Sequence, residues 1–156
     1  MMTMCPSCYE LYSDIWSKPC CKCTNKTISV SAELIRIVQM LIHRGFKVSY
    51  AKCYTDKDQD GKLTQLEIGF SELYLQALFN ELPPDWELTD EYPMYDGYAL
   101  GEPVAVLTCT IEHPPSECDQ ESIDFQKEIS ISNLETWLEG KDPDACKSLI
   151  VLAGCG

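Results

Sequence analysis

Two cysteine pairs near the N-terminus constrain this chain more than any other feature. Cys5-Pro6-Ser7-Cys8 and Cys20-Cys21-Lys22-Cys23 form a C-x2-C-x11-C-x2-C pattern. At this spacing two tight turns can set four thiolates about one tetrahedral ion at about 2.3 Å, which suits zinc. Residues 1–28 are short of aliphatics, so a metal has to supply their folding energy. Four thiolates leave no open coordination position, which makes the expected zinc structural. Cys21 is a spare thiol that replaces Cys20 after a shift of one residue. A redox pair or an accidental clustering of thiols is the other reading of the cluster.

The chain has ten cysteines. Its N-terminus lacks the basic start and apolar core of a secretion signal, so clustered cysteines argue for metal over disulfides. Cys155 is the penultimate residue, which does not make a prenylation box. Cys53, Cys109, Cys118, Cys146 and Cys155 read as small hydrophobes. No stretch approaches the ~20 apolar residues of a membrane span. The expectation is a soluble, cytoplasmic protein.

With 156 residues, 45% of them hydrophobic, the chain is long enough to bury a core beyond the cysteine module. Leu34, Ile35, Val38, Leu41 and Ile42 recur at helical spacing, and Gly45 follows where helices stop, which predicts a helix over 32–44. Residues 46–54 alternate as a strand, Asp60-Gly61 is a turn signal, and 63–70 reads as the returning strand. A short helix over 72–80 ends before Pro83-Pro84. Residues 85–104 read as strand and loop, 103–112 as a strand, 116–126 as an acidic loop, and 130–139 and 144–153 as helices. The fold class is therefore α+β. A zinc-ribbon-like module (1–28) precedes an acidic domain (29–156) built as a small antiparallel sheet packed with helices.

A second motif competes for metal. Residues 56–67 match an EF-hand calcium loop. Asp56, Asp58 and Asp60 stand as oxygen ligands, Gly61 as the turn, Lys62 as the carbonyl donor and Glu67 as the bidentate closer. The preceding segment looks like a strand, however, and no second loop pairs with it. The alternative reading is a hairpin tip with solvated carboxylates.

Recognisable catalytic patterns are missing from the sequence, which has two histidines and neither a phosphate-binding glycine loop nor a nucleophile elbow. Cys109 with His113 is the one candidate nucleophile pair. Asp85, Glu87, Asp90 and Glu91 are the one carboxylate group that could supply paired acids for acid–base chemistry. The pattern favours a non-enzymatic protein.

Charge is divided along the chain. Residues 1–62 hold nine basic residues against six acids, a balance of +3, and 63–156 hold three against nineteen, a balance of −16. Such an acidic part is a poor platform for nucleic acid, whose phosphates it repels, and suits docking on a basic protein surface. Trp86, Tyr92, Tyr95 and Tyr98 are candidate interface anchors within it.

The order of these features resembles a group of small zinc-ribbon-headed α+β proteins from Firmicutes and their phages. The pieces that match are the Cys5 to Cys23 head, Arg44-Gly45-Phe46-Lys47-Val48, Leu66-Glu67-Ile68-Gly69-Phe70, Leu82-Pro83-Pro84-Asp85-Trp86 and Leu134-Glu135-Thr136-Trp137-Leu138. Ala51-Lys52-Cys53-Tyr54 stands where that group often has a Cys-x-Gly-His tract. The resemblance favours a hairpin over an EF-hand and implies no established reaction. The leading expectation is a zinc-stabilised acidic interaction protein, of which a phage-encoded, anti-CRISPR-like inhibitor is one form. The alternative is a calcium-responsive regulatory module using 56–67.

Overall fold

The computed structural model describes residues 2–13, 16, 18–58, 61–95, 97–99 and 101–155. The chain begins with three short strands, β1 (Met2–Met4), β2 (Leu11–Tyr12) and β3 (Ile28–Val30), followed by the helix α1 (Ile35–His43). A long hairpin comes next, β4 (Val48–Asp58) and β5 (Gly61–Phe70), and then β6 (Glu87–Glu91), a small hairpin β7 (Met94–Tyr95) and β8 (Tyr98–Ala99), and β9 (Val104–His113). Two helices close the chain, α2 (Gln120–Glu139) and α3 (Pro143–Cys155).

Seven strands form one sheet in the order β2-β1-β3-β4-β5-β9-β6. The expected α+β class holds, with one correction: the sheet is mixed. β3 runs parallel to β4, with Ser29 beside Tyr50 and Val30 beside Ala51, and α1 makes the crossover between them. A parallel pair needs such a crossover, because a tight turn reverses direction. The strands of the cysteine module are thereby hydrogen-bonded into the main sheet.

One face of the sheet is apolar and covered. Ala51, Leu66, Ile68, Leu107 and Cys109 pack there with Leu34, Ile37, Val38 and Leu41 of the first helical segment and with Leu134 and Leu138 of α2. This is the arrangement expected for the helix at 32–44, whose apolar stripe needs a sheet face to bury it. Gly45, with φ of 94°, turns the chain out of α1, a conformation that costs glycine little. Arg44 is buried and stays satisfied, its Nε donating to the Lys141 carbonyl and its Nη1 to that of Met40. Phe46, Phe70, Tyr74 and Phe79 form an aromatic cluster, and Trp137 stacks on Phe79 at 5.8 Å.

Three local expectations are corrected. Residues 120–126, read as acidic loop, are the first turns of α2, started by Asp119, whose carboxylate accepts from the Ser122 N–H. The helix expected at 72–80 is a single 3-10 turn, Gln76–Phe79. Trp86 is buried at 4% exposure, its Nε1 donating to the Ser130 carbonyl at 2.9 Å, so it anchors the core rather than an interface. Among the described residues no helix is long and apolar enough to cross a membrane.

Candidate metal centre

The cysteine module is built from two turns of the same construction. In the first, the Tyr9 N–H donates to the Cys5 carbonyl and the Cys5 N–H to the Glu10 carbonyl, both at 2.9 Å. In the second, the Thr24 N–H donates to the Cys20 carbonyl at 2.8 Å and the Cys20 N–H to the Asn25 carbonyl at 2.9 Å. Tyr9 and Thr24 both take left-handed backbone angles, φ 64° and 58°. The repeat fixes the register: the second pair is Cys20 with Cys23, and Cys21 stays outside the cluster, exposed at the turn.

Sheet pairing brings the two turns together. The first is the tip of the β1–β2 hairpin, in which Thr3 lies opposite Tyr12 and Met4 opposite Leu11. The second leads into β3, which pairs with the other edge of β1 through Met4 and Ile28. Two side-chain contacts bridge them, the Lys22–Glu10 ion pair at 3.1 Å and the Asn25–Ser7 hydrogen bond at 2.7 Å.

The Sγ atoms of Cys5, Cys8, Cys20 and Cys23 all lie within 4.8 Å of one another, with Cys8 and Cys20 at 3.6 Å. Tetrahedral bonds of about 2.3 Å to one ion require sulfur spacings of about 3.8 Å, so the cluster fits a four-thiolate metal site. Cys5 and Cys20 are buried, Cys23 is half-buried and Cys8 exposed. No other group of ligating side chains is gathered among the described residues.

Tyr12 supports the cluster from outside. Its hydroxyl donates to Cys20 Sγ at 3.4 Å and accepts from the Cys21 N–H at 3.0 Å, and its ring stacks on Trp16 at 4.4 Å. The Tyr12 hydroxyl and the Cys23 and Lys22 N–H groups lower the Cys20 thiol to about 6. Cys23 is pushed up to about 12 by its hydrogen bond with Cys8 and by burial. One thiolate therefore forms readily, and a cation is what would favour the rest. Sequence reasoning missed Tyr12, because nothing in the C-x2-C spacing marks a residue between the two turns as a partner of the sulfurs.

The segment read as a calcium loop lies in a hairpin, without the helical frame of an EF-hand. EF-hand loops lie between helices, and here both flanks of 56–67 are strands. Asp56 lies opposite Leu63, and Lys57 opposite Lys62, in a continuous hairpin. Lys62 also pairs with His113 on the far side. Glu67 lies opposite Lys52, well along the strand from Asp56. Its carboxylate is engaged there, 3.3 Å from Lys52 Nζ and accepting from the Tyr50 hydroxyl at 2.9 Å. Asp60 and the side chain of Asp58 lie outside the described residues.

The remaining candidates separate. Cys109 and His113 sit four residues apart on β9; His113 Nε2 instead meets Thr64 Oγ1 at 2.7 Å. Burial, the main cause, raises Cys109 to about 11, which suits a packed thiol rather than a nucleophile. Asp85 is half-buried against Asn133 at 3.3 Å, while Glu87, Asp90 and Glu91 lie on β6, all three exposed. Tyr92 and Tyr98 are exposed at 58% and 76%, and the Tyr95 side chain lies outside the described residues. No protein-family model matches this chain, and no curated protein or solved structure does.

Proposed function

We propose that this chain is a non-enzymatic interaction protein with a structural zinc and an acidic docking surface. In this reading residues 1–28 are the metal-closed module, with Cys5, Cys8, Cys20 and Cys23 as ligands, and residues 29–156 carry the docking surface. Zinc bound there supplies a cross-link between the two turns and no reactive chemistry. The observation that carries the metal half is the gathering of four thiols by two identically built turns. An all-thiol set favours zinc among the common divalent ions, where carboxylates would have favoured harder cations.

Support for the docking half is the −16 balance of residues 63–156 and the group Glu87, Asp90, Glu91, Tyr92 and Tyr98 along β6 and the segment after it. Acids of one sign on one part of a surface steer a basic partner, and tyrosines supply contact area with few rotors to freeze. The finer form of this reading is a phage-encoded inhibitor that fills a basic nucleic-acid channel. The test is capture of partners from host lysate on immobilised full chain, beside the Glu87→Lys/Asp90→Lys/Glu91→Lys variant. A partner that elutes with salt and is lost in the variant supports the reading. Equal capture by both proteins refutes this face as the docking site.

A further inference from the structure

The last helix presents apolar side chains to solvent. α3 carries five apolar residues in a row, Leu149 to Ala153. Ile150 packs inward against the core, and Cys146 is buried one turn before it. Leu149, Val151 and Leu152 are left outside, exposed at 51%, 63% and 67%. A helix that is apolar on every side is normally covered on every side. The apolar surface continues past Val151 into a groove of about 770 Å³, lined also by Leu78 and by the exposed Leu73 and Leu75.

Size and charge along this face both point to its occupant. Ala145, Ser148, Leu149 and Leu152 are all exposed and recur at the spacing that places residues on one side of a helix. The small residues come first and the large ones last. Antiparallel packing of two such helices, about a two-fold axis between positions 148 and 149, sets Leu152 of one copy opposite Ala145 of the other and Leu149 opposite Ser148. Large then meets small in every layer, as interdigitated packing requires. Parallel packing would set leucine on leucine and leave a gap between the alanines. Residues 63–139 hold one basic residue against seventeen acids, whereas 140–156 hold two against two. A second copy therefore meets no local excess of like charge here, while a basic partner is drawn to the acids elsewhere. The exposed pair on α2, Phe125 and Ile129, differs in this respect, since Glu121, Asp124 and Glu128 flank it.

We propose that a second copy of this chain covers this face, in a symmetric dimer that packs α3 against α3 antiparallel through Ala145, Ser148, Leu149 and Leu152. The surface is neutral and lies on α3, not on β6, so the dimer stands whether or not the acidic face docks a partner. A paired face of about two helical turns is a small interface, which makes a dissociation constant in the micromolar range the expectation.

The test is analytical sedimentation of the full chain, kept reduced so that no intermolecular disulfide contributes. The dimer is expected to prevail at about 100 µM, well above a micromolar dissociation constant. Leu149→Gln/Leu152→Gln changes only exposed side chains and is expected to weaken association at least about tenfold, with zinc content and circular dichroism unchanged. Added salt screens the repulsion between two chains of net charge −13, so the dimer should hold or strengthen with salt, the opposite of docking on a basic partner. Charge reads the register: Ala145→Lys or Leu152→Glu alone should weaken the dimer, and both in one chain should restore it, because antiparallel packing then sets each new cation against a new anion of the other copy. A chain that stays monomeric at about 100 µM, a dimer indifferent to Leu149→Gln/Leu152→Gln, or a double charge variant no better than the single ones overturns the proposal.

Discussion

Tyr9 and Thr24 hold the same left-handed backbone conformation, φ 64° and 58°, each one residue past the second cysteine of its turn. A β-branched residue resists that region. Strain of this kind costs about 1–3 kcal/mol and persists where the surroundings impose it. Here the imposing contacts are the N–H bonds of Tyr9 and Thr24 back to the Cys5 and Cys20 carbonyls. Thr24→Gly removes the strain at an extra chain-entropy cost of roughly 0.5–1 kcal/mol. It is expected to keep metal and to raise stability by up to about 1 kcal/mol, read by denaturant titration. A clear loss of stability would show that the threonine side chain, not the backbone, is what the turn needs.

Tyr12 is expected to matter to the metal without touching it. Tyr12→Phe keeps the stack on Trp16, deletes the bond to Cys20 Sγ and leaves the Cys21 N–H without its acceptor. Loss of an outer partner typically costs 10–100-fold in metal affinity, so a fall of about tenfold is expected in competition with a chromogenic chelator. Unchanged affinity would make Tyr12 a packing residue only.

Gly69 allows the Tyr50 ring to lie flat against the sheet. A Cβ at position 69 would collide with that ring, which stands opposite it in the β4–β5 register. The ring carries the hydroxyl bonded to Glu67, and Lys52 Nζ sits 5.6 Å from its centre. Gly69→Ala is expected to cost about 1–3 kcal/mol by forcing the ring aside. Tyr50→Ala in the same chain should recover part of that cost, and a double-mutant cycle measures the coupling. Additive effects would mean that the ring and the glycine are independent.

His113 makes stability depend on pH. It is 2% exposed and bonded to Thr64, and burial lowers its pKa below the ordinary value of 6.5. Between the folded and unfolded pKa values the unfolded chain binds more protons, so stability from this group falls as pH drops below about 6.5. His113→Asn is expected to flatten the stability profile below about pH 6.5, whatever it does to the absolute value. A slope identical to that of the unsubstituted chain would assign the pH dependence to other groups.

Much of the sheet-and-helix frame is legible in pattern. The apolar spacing from Leu34 to Ile42 marks α1, and alternation around Asp60-Gly61 marks the β4–β5 hairpin, because both segments bury one clean face. Only the C-terminal half of α2 is legible in this way. Its inward positions include Ser130 beside Ile123, Leu134 and Leu138, so the periodicity fades toward the N-terminus; the Asp119 cap is the available signal. Trp86 looks like a surface residue because acids surround it in sequence, yet one inward position just before β6 is enough to bury it. The parallel β3–β4 pairing joins short segments on either side of a helix, and three residues of β3 carry too little pattern to announce it. For the site, the cysteine spacing points to the cluster, while the residues of the EF-hand match lie along a hairpin that sets Asp56 opposite Leu63 and Glu67 opposite Lys52.

The central claim is a single structural zinc held by Cys5, Cys8, Cys20 and Cys23, and elemental analysis of the full chain purified without chelator tests it most directly. One zinc per chain is expected, retained in Cys21→Ser and lost or sharply reduced in Cys23→Ser. A chain without zinc, or one that loses its metal in Cys21→Ser and keeps it in Cys23→Ser, would contradict the account.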